Sequence, residues 1–222
     1  MERVVLNPQQ LRIEQDRTLA MPPQRYGLPA LLVFRLIDSI YGRERTWQKF
    51  KVNEVTARMP YQACEHVAYS AITHTHHREQ YARRIFERVK ESRAQQDNEQ
   101  WHLLIIQEWI NRNGLPESKL KHRMMPPLLA FGFYHLTLIL YAIRPGWSYR
   151  FNADLEDHAE REYMTFVMEH PELEREPFVS VFEKDFGLQP TMADVVRQIA
   201  IDERTHKEES LKKSDMVHLG SH

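Results

Sequence analysis

The sequence predicts an all-α fold, on three observations. The chain holds only seven glycines in 222 residues, alternating β-branched runs are few, and long stretches repeat apolar residues at spacings of three and four, the period of a helix with one buried face. The first 24 residues, ending in MPPQR, lack that period and read as an irregular N-terminal arm. Residues 25–213 read as one helical-bundle domain, and 214–222 as a C-terminal tail.

Each predicted element has a local reason. GLPALLVFRLIDSIY (27–41) is a first helix with Pro29 near its start, where the missing N–H costs no intrahelical bond. A second, long helix runs from about Thr46 into the seventies and weakens at THTHHREQ. Its partner covers about Arg83 to Asn113 and closes at NGLP. The apolar PPLLAFGFYHLTLILYAI (126–143) follows and stops before Pro145. A fifth helix spans about Trp147 to His170, then a loop through HPELEREP and a short segment VSVFEKDFG. The sixth starts at Thr191, whose hydroxyl can cap it with Asp194 three residues on, and continues to about Lys213, with Lys207, Lys212 and Lys213 read as a solvated helix end.

Composition narrows the function. With 30 basic against 31 acidic groups no global field favours nucleic acid. The single cysteine, Cys64, cannot form an internal disulfide and reads as a small buried apolar residue. MERVVLNPQQ has no basic-plus-apolar leader, so a reducing, cytoplasmic-face location is expected. The 126–143 run is interrupted by His135 and Thr137, which leaves about 16 residues, short of the roughly 20 that span hydrocarbon. Its aromatics Phe131, Phe133, Tyr134 and Tyr141 and the flanking KLKHR suit a helix lying in a membrane interface; a buried core helix is the other reading, and 27–41 shares the ambiguity. The triplet His74, His76 and His77 sits at a predicted bend with a spacing that spreads the rings.

Two Glu-x-x-His pairs carry the chemistry: Glu99 with His102, and Glu203 with His206. Residues three apart share a helix face, so each pair points where its helix packs. A carboxylate-bridged pair of metal ions in a helical bundle uses one such motif on each of two helices and a further Glu from each of two others. The fifth helix supplies Glu156, in register with Ala159, Tyr163 and Phe166, while Glu160 and Glu162 fall on flanking, solvated positions. The second helix supplies either Glu54 or Glu65, three turns apart, and periodicity does not separate them. If Glu54 faces Glu99 across an antiparallel pair, the turn falls near residue 76.

At these residues the chain resembles the alternative oxidases, the membrane-bound di-iron quinol oxidases. NEVTARMP (53–60) is similar to the family's LETVAAVP, NEQWHL (98–103) to NERMHL, LEDHAEREY (155–163) to LEEEAxxSY, and IAIDERTH (199–206) to the RADEAHH segment. RPGWSYRFNADLE (144–156) resembles SPxxxHRFVGYLE. The resemblance implies a ferritin-like four-helix di-iron bundle with two additional apolar helices, and selects Glu54 over Glu65. It implies two iron ions held by Glu54, Glu99, His102, Glu156, Glu203 and His206, with Asn98 and Asp202 beside the ligands and Tyr163 delivering an electron and a proton. It also implies quinol and dioxygen as substrates, a membrane surface as partner and a homodimer.

Departures from the family pattern fall both at the implied substrate pocket and within the motifs that carry the implied ligands. Lys49 stands where the family pattern places a quinone-binding arginine, keeping the charge but losing the planar fork. Asn53 replaces an apolar leucine, whereas Ala159 matches the pocket's small residue. Asp157 and His158 replace the second and third acids of LEEEA, and Gln100 replaces an arginine. The expected function is reduction of dioxygen to water with quinol electrons; a di-iron oxygenase acting on a lipid or quinone-type substrate uses the same ligands.

Overall fold

The computed structural model describes residues 3–219, and among them are eight α-helices and no strand. The all-α class expected from the sequence is the one observed. Two units, each compact by itself, divide the described residues: 46–148 with 217–219, and 3–45 together with 149–216.

The first unit is built on α3 (Trp47–Thr75) and α4 (Glu79–Arg112). Thr46 caps α3 by accepting from the Lys49 N–H at 3.2 Å, satisfying one of the donors a helix start leaves open. Side-chain contacts join Glu54 to His102, Arg58 to Gln100 and Glu65 to Arg93; as numbers rise on one helix they fall on the other, so the pair is antiparallel. The turn at 76–78 falls where the sequence places it. Gly114 ends α4 with φ 59°, and the Leu115 N–H closes back on the Ile110 carbonyl at 3.0 Å, a left-handed cap that a side chain would strain.

α5 (Met125–Ile143) is preceded without a break by a π turn, Leu120–Met124. The continuous run of 24 residues, Leu120–Ile143, reaches the length and apolarity of a bilayer crossing, longer than the sequence count because the π turn extends the helix backwards through KLKHR. Pro126, Ala130, Thr137 and Tyr141 are buried on one face, and α5 packs along α3, where His66 meets the Tyr134 hydroxyl. Leu128, Phe131, Leu136, Ile139 and Ile143 are exposed. α5 is thus buried on one face and apolar on its exposed face as well. At the π turn the Lys51 ammonium, itself buried, is held by Glu117 and by the His122 carbonyl at 2.9 Å.

The second unit contains α1 (Pro8–Ala20), α2 (Leu28–Tyr41), the short α7 (Glu183–Phe186) and most of α6 (Pro145–Glu169) and of α8 (Met192–Leu219). The expected irregular arm over residues 1–24 is corrected: Pro8–Ala20 is helical. Asn7 and Gln10 form a reciprocal capping box, with bonds of 3.0 and 3.1 Å, and Pro8 occupies the first turn. Its inward face, Leu11, Gln15 and Thr18, is mostly polar, which is why an apolar period does not reveal it. The expected tail from 214 is likewise corrected, since α8 continues to Leu219 with no glycine or proline to stop it; 220–222 lie outside the described residues.

α6 and α8 are also antiparallel, tied by Asn152 to Ser210, Asp157 to Lys207 and Glu160 to Arg204. Thr191 caps α8 as expected, accepting from the Asp194 N–H at 3.2 Å. Two readings of solvated groups are corrected. Glu160 is 1% exposed, because it receives Thr18 from α1 and Arg204 and Lys207 from α8. Lys213 is buried and Lys207 is paired with both Asp157 and Glu160, while Lys212 is exposed as expected.

Candidate metal centre

Each antiparallel pair carries one half of the predicted donor set. In α3 and α4, Glu54, Glu99 and His102 are all buried, the last two with no exposure at all. One ligand atom from each lies within 4.8 Å of one from each of the others. The His102 Nδ1 faces the carboxylates, 3.4 Å from Glu54 Oε2 and 3.6 Å from Glu99 Oε2. Burial, and then the negative charge of Glu99, push the Glu54 carboxyl up to about 8, with the His102 ring pulling the other way. Two acids that disfavour each other's ionisation in a dry interior are the electrostatic signature of a site completed by a cation.

The α6 and α8 pair repeats the arrangement. Glu156, Glu203 and His206 are buried, and one ligand atom from each again lies within 4.8 Å of the others. His206 Nδ1 is 3.9 Å from Glu203 Oε2. The sequence does not single out Asn152, buried one turn before Glu156, which donates to Glu156 Oε1 at 3.1 Å and to Ser210 Oγ at 3.2 Å; its spacing of four from Glu156 is the signal that could have found it. Asp202 is buried and accepts from Arg3 and Gln198. Tyr163 is 1% exposed, two turns beyond Glu156.

The remaining predicted residues distribute as follows. Lys49 is buried, whereas Asn53, Asn98 and Ala159 are half-buried. Glu65, the rival to Glu54, is bound by Arg93 and stands outside the donor cluster of its helix pair. Cys64 is buried and in no disulfide, as expected for a small apolar residue. His74, His76 and His77 are exposed, and His76 Nδ1 bonds the Thr73 carbonyl at 2.9 Å.

Carboxylates are hard donors that bridge and shift between modes, and imidazole suits iron. The residues present therefore fit iron, and the donor types on each helix pair are those of the helical di-iron carboxylate class. The particular family follows from comparison: the alternative oxidase family model matches residues 40–215, and the chain belongs to that family. It is 31% identical over 135 residues to ubiquinol oxidase 4, chloroplastic/chromoplastic, of Arabidopsis thaliana, covering 61% of this chain and 35% of that one. It is 30% identical over 136 residues to the ubiquinol oxidase of Trachipleistophora hominis, covering 58% of this chain and 40% of the relative. The matched stretch thus spans well under half the length of either relative.

Proposed function

We propose that the two helix pairs together hold two iron ions, through Glu54, Glu99 and His102 on one side and Glu156, Glu203 and His206 on the other, and that the protein is a quinol:oxygen oxidoreductase. The observation that carries this reading is the twofold recurrence of a buried glutamate facing a buried Glu-x-x-His motif. Both named relatives are ubiquinol oxidases, which favours the oxidase over the oxygenase reading.

Bound iron would supply the electron storage and the dioxygen affinity that no side chain of the chain possesses. The protein's own groups do the rest. The six ligands are shielded from bulk water, so charge changes are met by fixed dipoles and not by solvent. Asn152 fixes one oxygen of Glu156. Tyr163 is the group we assign to move a proton and an electron. Lys49, Asn53 and Ala159 are the residues we assign to quinol binding, and at Lys49 an ammonium replaces the arginine fork. The exposed apolar faces of α2 and α5 lie on a membrane surface, on its cytoplasmic side, as the source of a lipid-soluble donor, and the protein works as a homodimer.

Two quinols give four electrons and four protons to one dioxygen, and two quinones and two waters result. The test is oxygen uptake by detergent-purified, iron-loaded protein on adding a short-chain quinol. The expected result is uptake that stops when iron is stripped, with isotope-labelled oxygen recovered in water and none in the quinone. Label in the organic product, or no quinol-dependent uptake by iron-loaded protein, overturns the reading.

A further inference from the structure

Residues 3–6 precede α1 and lie outside the stretch matched by the family, yet they run along α8 as a strap. The side chain of Gln198, fully buried, accepts from the Leu6 N–H at 3.0 Å and donates to the Val4 carbonyl at 2.8 Å. Its second N–H reaches Asp202 Oδ1 at 3.1 Å. At the start of the strap the Arg3 guanidinium lies 3.9 Å over the Phe186 ring and donates to the Phe186 carbonyl. From Nε and Nη2 it also donates to Asp202 Oδ2, at 2.9 and 2.5 Å. Both oxygens of a carboxylate only 3% exposed are thereby fixed, one by Arg3 and one by a glutamine that the same strap holds.

Asp202 immediately precedes Glu203 and lies one turn before His206. Helical side chains lean towards the N-terminus, so the turn that presents Asp202 is the one beneath His206. A carboxylate in such a place is the type of group that sets the orientation of ligating side chains. Removing Arg3 would take a cation and its two bonds away from a buried carboxylate, a costly change. We infer that Arg3 is a positioning residue for the metal centre: the strap holds Asp202 in one place, and Asp202 orders the ligands that α8 carries. The inference rests on the two-iron reading proposed above.

The test compares full-length wild type, Arg3→Ala, Arg3→Lys and Asp202→Asn, each loaded with iron. Retention against a chelator gives the strength of binding, and electron paramagnetic resonance of the half-reduced form reports ligand geometry, which a merely structural role in fastening the strap would leave alone. Outer partners of ligands are worth about 10- to 100-fold in metal affinity. Acting through Asp202, Arg3→Ala is expected at the lower end, about 10-fold, with its resonance altered in the same sense as in Asp202→Asn. Arg3→Lys is expected to recover part of both, since an ammonium keeps the charge without the two-donor fork. Wild-type retention and resonance in Arg3→Ala, or in Asp202→Asn, overturn the inference while leaving two irons per chain in place. If Arg3→Ala does not fold, wild-type values in Arg3→Lys overturn it equally. Wild-type protein that takes up no iron defeats the two-iron reading itself, a different and separable result.

Discussion

Replacing Glu160 with alanine tests the architecture that brings α1, α6 and α8 together. Its carboxylate accepts from Thr18 Oγ1 at 2.8 Å, Arg204 Nε at 3.0 Å and Lys207 Nζ at 2.6 Å. Removing one member of a buried ion pair costs about 3–5 kcal/mol, mainly because the partner charge is left behind. Here the partners are partly compensated, Arg204 by Glu14 and Lys207 by Asp157, which places the expected loss near the lower end, about 3 kcal/mol. For a chain of this size that is a fall in melting temperature of roughly 6–12 °C, read from the helical circular dichroism signal. Glu160→Gln keeps an acceptor for Thr18 and one cation, so about half the loss is expected. A solvated glutamate would cost under about 0.5 kcal/mol. Melting of Glu160→Ala within about 2 °C of wild type would therefore refute the buried network.

Two further expectations bear on the metal. Glu54→Ala is expected to lose iron and Glu65→Ala to retain it, measured as iron per folded chain by elemental analysis, because Glu54 shares a buried cluster with Glu99 and His102 whereas Glu65 is occupied by Arg93; equal iron in both variants would contradict the ligand choice. Stability of iron-free protein should also depend on pH. The Glu54 carboxyl is raised from 4.5 to about 8 by burial and by Glu99, so between those values the folded state binds the extra proton, and stability falls as pH rises through the window. Iron should abolish that slope by keeping the carboxylate ionised at both ends, and denaturant titrations at several pH values, with and without iron, would show a persistent slope if the reading is wrong.

Much of this was legible because the long helices announce themselves twice, by apolar period and by punctuation. Thr191 with Asp194, the glycine of NGLP and the weakened THTHHREQ each mark an end that the structure keeps. Antiparallel reasoning from Glu54 and Glu99 also located the turn. Failures share one physical cause: polar groups buried against polar partners leave no hydrophobic trace. α1 faces inward through Gln15 and Thr18, which bond the Met164 carbonyl and Glu160. Glu160, Lys213 and Asn152 were invisible for the same reason. The signals that did exist were local, the Asn-Pro-Gln-Gln capping box before α1 and the spacing of four from Glu156 that Asn152 and Glu160 share.

That spacing also explains why the departures from the family pattern fall where they do. One stripe of α6, through Asn152, Glu156, Glu160 and Tyr163, is buried and carries the candidate ligand and its support. A second stripe, through Asp154, Asp157, His158 and Arg161, binds the segment leading into α2. Asp154 accepts from the Gly27 N–H at 2.8 Å, Asp157 from the Tyr26 hydroxyl at 3.0 Å, and Arg161 donates to the Met21 carbonyl at 2.8 Å. His158 stacks on Phe34 of α2 with ring centroids 4.0 Å apart. A third carboxylate at position 158 could not make that stack, and Asp157 serves both Tyr26 and Lys207. The residues that differ from the LEEEA pattern thus concern how α2, with its exposed leucines, is fastened to α6. They leave Glu156, the candidate donor of the buried stripe, unchanged, so divergence in the attachment of an apolar helix is compatible with retention of the proposed chemistry.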